Sequence, residues 1–490
     1  MAAENETTAG GTATLELTLL DQILENTRPL DDAEMELNKS YIEEFVRQAS
    51  KDQNKVSKDA ATKINFWIAE LDKKLSAQLN EVMHHEKFQA LESSWRGLSF
   101  LVHESETGTS LKIRVMNATK HDLLKDLETA VEFDQSAIFK KIYEEEYGQL
   151  GGQPYGLLIG DYEFSRRPED INLLKLMSNV AAAAHAPLIS AASPTLFNLD
   201  SFSDLPNPRD LAKIFEGATH TSWRSFRDSE DSRYVALTLP HVLSRLPYGE
   251  EFKKVEEFNF EEAVDGKDYH KYLWMNAAWA YGVRITNAFS KYGWFAKVRG
   301  VEGGGKVENL PVHTFPTDDG DIAMKCPTEI AISDRREFEL SNLGFLPLLH
   351  AKNTDYAVFM GAQSAQKPKV YFDDDANSNA ELSSKINFLL CVSRFAHYLK
   401  VMARDKIGSN LEVAEAERWL NSWISNYVCD PATAGDETKA KCPLSDARVE
   451  VREVKGKPGW YEAVAWLRPH FQLETLEASM RLVAEVPKQG

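Results

Sequence analysis

No stretch of this 490-residue chain approaches the run of about 18 apolar residues that a membrane-spanning helix requires. The longest mildly apolar segment, Asn179 to Ile189, is mostly alanine and is interrupted by His185 and Pro187, so no membrane partner is expected. Cysteine is scarce. Cys326, Cys391, Cys429 and Cys442 form no Cys-x-x-Cys pair, which argues against a structural zinc or a thioredoxin-like redox site and leaves four buried or incidental thiols. Positive charge is also short: 56 Lys and Arg stand against 75 Asp and Glu, and the net charge of -19 repels nucleic acid over any long contact. Nucleic acid is therefore not an expected partner, and proteins are. The first 30 residues carry Glu4, Glu6, Glu16, Asp21 and Glu25 and lack a basic start followed by an apolar block. No secretory signal is expected, and the cytoplasm is the default compartment.

What is present reads as a soluble globular protein. Hydrophobic residues make up 43% and charged residues 27%, and at about 150 residues per domain the length suggests two or three packed units. Residues 1 to 20 show no helical period, but Thr14 to Leu19 alternate polar and apolar. Two readings fit that alternation: a strand that adds to a sheet, or a frayed start to the first helix. Tyr41, Ile42, Phe45, Val46 and Ala49 then predict one amphipathic helix, and Ile64, Trp67, Ile68, Leu71, Leu75, Leu79 and Val82 a longer one. Phe88, Leu91, Trp95 and Leu98 repeat the pattern, and Leu111, Ile113 and Val115 alternate like a half-buried strand.

From there the middle of the chain alternates strand and helix signals, which favours a layered α/β body. Leu157 to Ile159 and Pro187 to Ser190 predict short buried strands around a helix from Ile171 to Ala184. Ala380 to Arg404 predicts one long helix, and Ala416 to Tyr427 another. Val449 and Val451, the glycines and proline between Lys455 and Gly459, and Trp460 to Leu467 predict a β-hairpin, and Met480 to Val486 a final strand. No repeat of about 20 to 50 residues is visible, which disfavours a solenoid.

Candidate chemistry is thin. Gly300, Gly305 and Lys306 satisfy the G-x-x-x-x-G-K part of a phosphate loop, but Val307 stands where a hydroxyl must hold magnesium, and Pro311 follows where a helix must begin. The glycines read as a turn. His84, His85 and Glu86 lack metal-ligand spacing and read as a helix end, and Asp373 to Asp375 read as acids loading a helix N-terminus, not a calcium loop. No catalytic, cofactor or metal residue is assigned, and an enzyme is not expected.

Phe88-Gln-Ala-Leu-Glu-Ser-Ser-Trp-Arg-Gly-Leu98 closely resembles the signature of the large sheath subunit of type VI secretion systems, the TssC/VipB family. Ser225-Phe-Arg-Asp-Ser-Glu-Asp-Ser-Arg-Tyr-Val235, Leu246-Pro-Tyr-Gly249, Cys326-Pro-Thr-Glu-Ile330 with Ser333-Asp-Arg-Arg-Glu337, and Leu343-Gly-Phe-Leu-Pro-Leu348 are similar to the same family. The resemblance runs from about Leu20 to the C-terminus. It implies a contractile, tail-sheath-like structural protein of the bacterial cytoplasm, with a mixed α/β body, amphipathic N-terminal helices and a C-terminal β-hairpin domain. The implied divisions are an arm and first helix at 1–60, an outer body at 61–375, and a domain at 376–490 that pairs with the small sheath subunit (TssB/VipA-like). The other implied partners are further copies of the chain, an Hcp-like inner tube protein, a baseplate and an AAA+ unfoldase, and no cofactor is implied. Alternatives are the sheath of a phage-derived contractile particle and a P-loop-like nucleotide-binding enzyme.

The resemblance also gives the unpartnered terminal strands a role. In that family the extensions of neighbouring subunits share one intermolecular sheet, so Leu15, Leu17, Leu19, Met480, Leu482, Ala484 and Val486 are the expected linker contacts. The mixed-charge run Arg335, Arg336, Glu337 and Glu339 is the candidate tube-facing surface, although such a run also reads as an ordinary solvated helix face.

Overall fold

A computed structural model describes residues 31–51, 60–207, 210–256, 258–266, 268–457 and 459–473. These fall into two compact units. One holds the described residues up to Asn80 together with Tyr248–Glu262, and the other holds Glu81–Pro247 and the described residues from Ala263. The first unit carries α1 (Asp32–Lys51) and most of α2 (Ala60–Met83). The stripe read along α2 is helical as its period predicts, yet Ile64, Ile68, Leu71 and Leu75 all remain exposed.

The second unit is built on a six-stranded sheet. In chain order its strands are β1 (Leu158–Phe164), β2 (Leu188–Ala192), β3 (Val235–Leu239), β4 (Lys306–Val307), β5 (Leu346–His350) and β6 (Ala357–Phe359), and their spatial order is β1-β2-β3-β5-β6-β4. The first four in space run parallel, and β6 and β4 complete the sheet antiparallel. Parallel strands need covering on both faces, and β3 shows how this is met. Val235, Leu237 and Leu239 join the core under α5 (Pro168–Ala184), while Ala236 turns to the opposite core under α6 (Ala277–Tyr292). Full burial of each such aliphatic side chain contributes about 1.5–3 kcal/mol.

Two expectations are corrected. Leu111, Ile113 and Val115 form no strand; their segment is held by side chains, with Arg114 paired to Glu146 and Lys112 Nζ donating to Gln153 Oε1 at 2.9 Å. The single long helix from Ala380 is two, α8 (Asp374–Ser383) and α9 (Ile386–Asp405). Residues 362–364 run alongside the break and take over its hydrogen bonds. Ser364 N donates to Ser384 O at 3.0 Å, Ile386 N donates to Ala362 O at 2.8 Å, and Lys385 is extended. Asp374 and Asp375 do occupy the first turn of α8, where the helix dipole favours them.

The C-terminal region has a core of its own. α9 and α10 (Val413–Ile424) pack with the hairpin of β7 (Leu444–Glu453) and β8 (Tyr461–Pro469) around Phe395, Leu420, Ile424, Leu444, Val449 and Val451. Trp294 closes this cluster by stacking on Phe395 at 4.2 Å between ring centroids. Gly456 and Gly459 adopt positive φ in the hairpin turn, as its composition predicts.

Candidate functional site

The four tube-facing candidates sit together on a nine-residue helix, α7 (Asp334–Asn342), which precedes β5. Most of their charge is neutralised within the helix itself. Arg336 Nη1 lies 2.7 Å from Glu339 Oε2, and its Nη2 donates to Asn207 O at 3.1 Å, so Arg336 ties the helix to a neighbouring loop. Glu337 Oε1 accepts from Ser341 Oγ at 2.8 Å. Arg335 alone reaches fully into solvent, 91% exposed, with Nε 3.4 Å from Glu339 Oε1. Phe338 beside them is also exposed.

The seven linker residues, Leu15, Leu17, Leu19, Met480, Leu482, Ala484 and Val486, lie outside the described residues. The hairpin shows what a linker strand would meet. Asn421 of α10 straddles the outer edge of β7, its Nδ2 donating to Val449 O at 2.7 Å and its Oδ1 accepting from Val449 N at 2.9 Å. Glu417 Oε2 accepts from Val451 N at 3.2 Å. That edge is therefore capped by side chains. Val449 pairs with Ala465 and Val451 with Ala463, and opposed residues of an antiparallel pair whose groups do not bond each other both turn them outward. Ala463, Ala465 and Leu467 thus present N–H and C=O along the far edge of β8. Among the described residues no strand lies along that edge, and Tyr461 and Trp466 are exposed beside it. An uncapped edge of this kind is a template for another strand.

The motif around Trp95 has two faces. On α3 (Glu86–His103), Glu92 Oε1 accepts from Arg96 Nε at 2.7 Å and Arg245 Nε at 2.8 Å, and Ser93 Oγ donates to Trp274 O at 2.7 Å. Gly97 lets the helix touch α6, because a Cβ there would stand 2.3 Å from Trp279 Cδ1. The opposite face leaves Leu91 and Trp95 exposed, which periodicity alone could not distinguish from a core stripe. His85 caps the N-terminus of α3, its Nδ1 accepting from Lys87 N at 3.2 Å, so the His84–Glu86 run does serve as a helix end.

The Gly300 loop is a turn, not a phosphate cradle. Gly305 N donates to Gly300 O at 2.9 Å, Gly300 and Gly304 have positive φ, and the chain continues into β4 instead of a helix. Lys306 Nζ lies 2.6 Å from Glu308 Oε1 and 4.2 Å from the centre of the Tyr356 ring. Among the described residues no cluster of His, Cys, Asp and Glu is placed to hold a metal ion, and no helix is long and apolar enough to cross a membrane.

An ionic group that sequence reasoning missed, buried at Glu329 and half-exposed at Glu163, lies at the carboxyl ends of β1 and β3. His241 places Nδ1 2.6 Å from Glu329 Oε2 and Nε2 2.9 Å from Glu163 Oε1. Glu329 also accepts from Ser201 Oγ and Phe202 N, each at 3.1 Å. Burial opposes the charge on His241, but hydrogen bonds to both carboxylates outweigh it and raise the imidazole to about 10. The Cys326–Ile330 motif therefore contributes an anchor, Glu329, that fastens its loop to the sheet. Only the motif itself marked this glutamate, since one acid among 75 carries no signal.

Comparison with known proteins covers nearly all of the chain. Residues 65–366 match the family model described as EvpB/VC_A0108, tail sheath N-terminal domain, and residues 375–486 match EvpB/VC_A0108, tail sheath gpW/gp25-like domain. The Type VI secretion system sheath protein TssC1 of Pseudomonas aeruginosa is 52% identical over 487 residues, covering 98% of each chain. A chain of the anti-feeding prophage baseplate is similar at a TM-score of 0.36 and 8% identity, covering 64% of this chain and 66% of its own, a likeness too slight to argue from.

Proposed function

The chain belongs to the EvpB/VC_A0108 tail-sheath family, and on that premise we propose that it is the large subunit of a type VI secretion contractile sheath. The observation that carries this reading is the 52% identity to TssC1 across 98% of both chains. The role is structural: the chain assembles with the small sheath subunit and with further copies of itself into a helical tubule, and contraction of that tubule propels an inner tube and its effectors into a target cell. The phage-derived alternative is not favoured beside this relative, and the nucleotide-enzyme alternative has only the Gly300 turn in its support.

The finer parts of the reading extend the resemblance. The tubule encloses an Hcp-like tube, starts from a baseplate and is dismantled by an AAA+ unfoldase, all in the bacterial cytoplasm. Residues 61–375 form the outer body, and residues 376–490 join the small subunit on the inner side. Strands containing Leu15, Leu17 and Leu19, and Met480, Leu482, Ala484 and Val486, link neighbouring subunits. The uncapped edge of β8 is the acceptor for one of them, since it offers outward N–H and C=O groups beside exposed aromatic side chains. A strand joined through main-chain bonds keeps neighbours attached while rigid bodies rotate, and a small energy difference per subunit sums over many copies.

On α7, Arg335 is the tube-facing contact and Arg336 holds the helix in place. Arg335→Glu is expected to weaken tube association while leaving empty sheath formation intact, measured by co-sedimentation; unchanged association would remove α7 from the interface. The family reading itself is tested by negative-stain electron microscopy of the chain expressed alone and with its small subunit. Hollow tubules on co-expression only are expected, and a failure to bind that subunit would overturn it.

A further inference from the structure

Two of the four cysteines that read as incidental in the sequence meet in the fold. Cys429 follows the turn that ends the α10 region, and Cys442 follows α11 (Asp436–Lys441), two residues before β7. Cys429 N donates to Leu444 O at 3.0 Å and Val428 bridges Leu444 in parallel, so the ends of this excursion are held side by side. Cys429 Sγ lies 3.4 Å from Cys442 O and 3.1 Å from His470 Nε2, and the same nitrogen is 3.1 Å from Cys442 O. Both thiols are partly exposed, within reach of a small oxidant. His470 is buried where the chain leaves β8. Burial lowers the basicity of His470, and because Cys442 O can only accept, Nε2 carries the ring proton; burial pushes the Cys429 thiol up, and this N–H is the donor beside its sulfur.

We propose that Cys429 and Cys442 are a peroxide-sensitive pair that closes to a reversible intramolecular disulfide, with His470 Nε2–H as the donor that steadies the Cys429 thiolate. Cys429 loses its thiol proton to solvent, and the thiolate sulfur, facing His470 Nε2–H, attacks one oxygen of a hydroperoxide. The O–O bond breaks, and the leaving oxygen takes a proton from solvent and departs as water or alcohol, leaving a sulfenic acid on Cys429. The Cys442 sulfur then attacks the Cys429 sulfur; the S–S bond forms, the S–O bond breaks, and the hydroxyl leaves as water with the Cys442 proton. Two thiols are oxidised by two electrons and one peroxide bond is reduced. The closed bond clips the Asp430–Lys441 excursion to the base of the hairpin. A small thiol reopens it by exchange.

The test treats the purified full-length chain, in complex with its small subunit, with hydrogen peroxide, then blocks remaining thiols and maps the peptides by mass spectrometry. A Cys429–Cys442 cross-linked peptide that dithiothreitol removes is expected. In Cys442→Ser, or Cys442→Ala should the serine not fold, Cys429 is expected to stop at the sulfenic acid, trapped by dimedone. His470→Ala should slow closure roughly tenfold or more and move the rise of its rate to higher pH, because the thiolate loses its donor. Separate sulfinic acids without a cross-link, or cross-links between chains, would overturn the pair; closure at an unchanged rate in His470→Ala would overturn the role of His470.

Discussion

In the central sheet β2 and β3 have a strand on either side and helices over both faces, whereas among the described residues β8 of the C-terminal hairpin has one neighbouring strand and an exposed aromatic flank. The two regions share one unit and the same strand chemistry, so composition is not what separates them. The difference is closure. All five residues of β2 and all five of β3 are buried, and nothing remains for another chain to pair with. The hairpin has one edge capped by Asn421 and Glu417, while among the described residues no strand pairs with the other, where the proposed linker strand would add. The body keeps its shape unaided, and the hairpin edge is the part proposed to hold its neighbours.

That contrast is broken most sharply at Ala465. Its N–H faces away from β7, so Ala465→Pro costs the hairpin itself no ladder bond but removes a donor from the open edge. Tubules are expected to disappear from co-expressed material while the soluble heterodimer remains, as read by electron microscopy and gel filtration. Intact tubules would mean that β8 accepts no strand.

The body should respond in stability, not in assembly. Gly97→Ala drives a Cβ into Trp279 between α3 and α6, and overpacking of this kind costs about 1–3 kcal/mol. A lower melting temperature is expected, with tubules still forming below it. The ionic group at His241 adds a pH signature. Its folded pKa of about 10 lies above the ordinary 6.5, so its contribution is complete below pH 6.5 and fades as pH rises through 10. Thermal melts from pH 6 to pH 10 are expected to show falling stability, and His241→Gln to flatten that slope. The smallest effect belongs to Lys306→Ala. Its Glu308 partner is a surface ion pair, and tubule assembly should be unchanged on electron-microscope grids.

These regions were also unequally legible in the sequence. The β1–α5–β2 stretch was readable because short apolar runs flank a helical period, and the hairpin was readable from its alternation and its turn glycines. The break between α8 and α9 was not, because it depends on residues 362–364, which arrive from outside the local window and capture Ser384 and Ile386. Leu111 to Val115 carry strand periodicity without a ladder, which no local pattern can detect. On the candidate surfaces, the charges of α7 were visible and Arg336 and Glu339 stand at a helical i,i+3 spacing, but the tie from Arg336 to Asn207 O arises only in three dimensions. Leu91 and Trp95 show the same limit from the apolar side, because period reports a face and not what covers it.

The measurement that tests this account most directly is a cryo-electron microscopy map of the assembled tubule at the edge of β8. A third strand from a neighbouring subunit, bonded to the main chain of Ala463, Ala465 and Leu467, is the expected result. A β8 edge open to solvent in the assembled lattice, with subunits joined elsewhere, would contradict it.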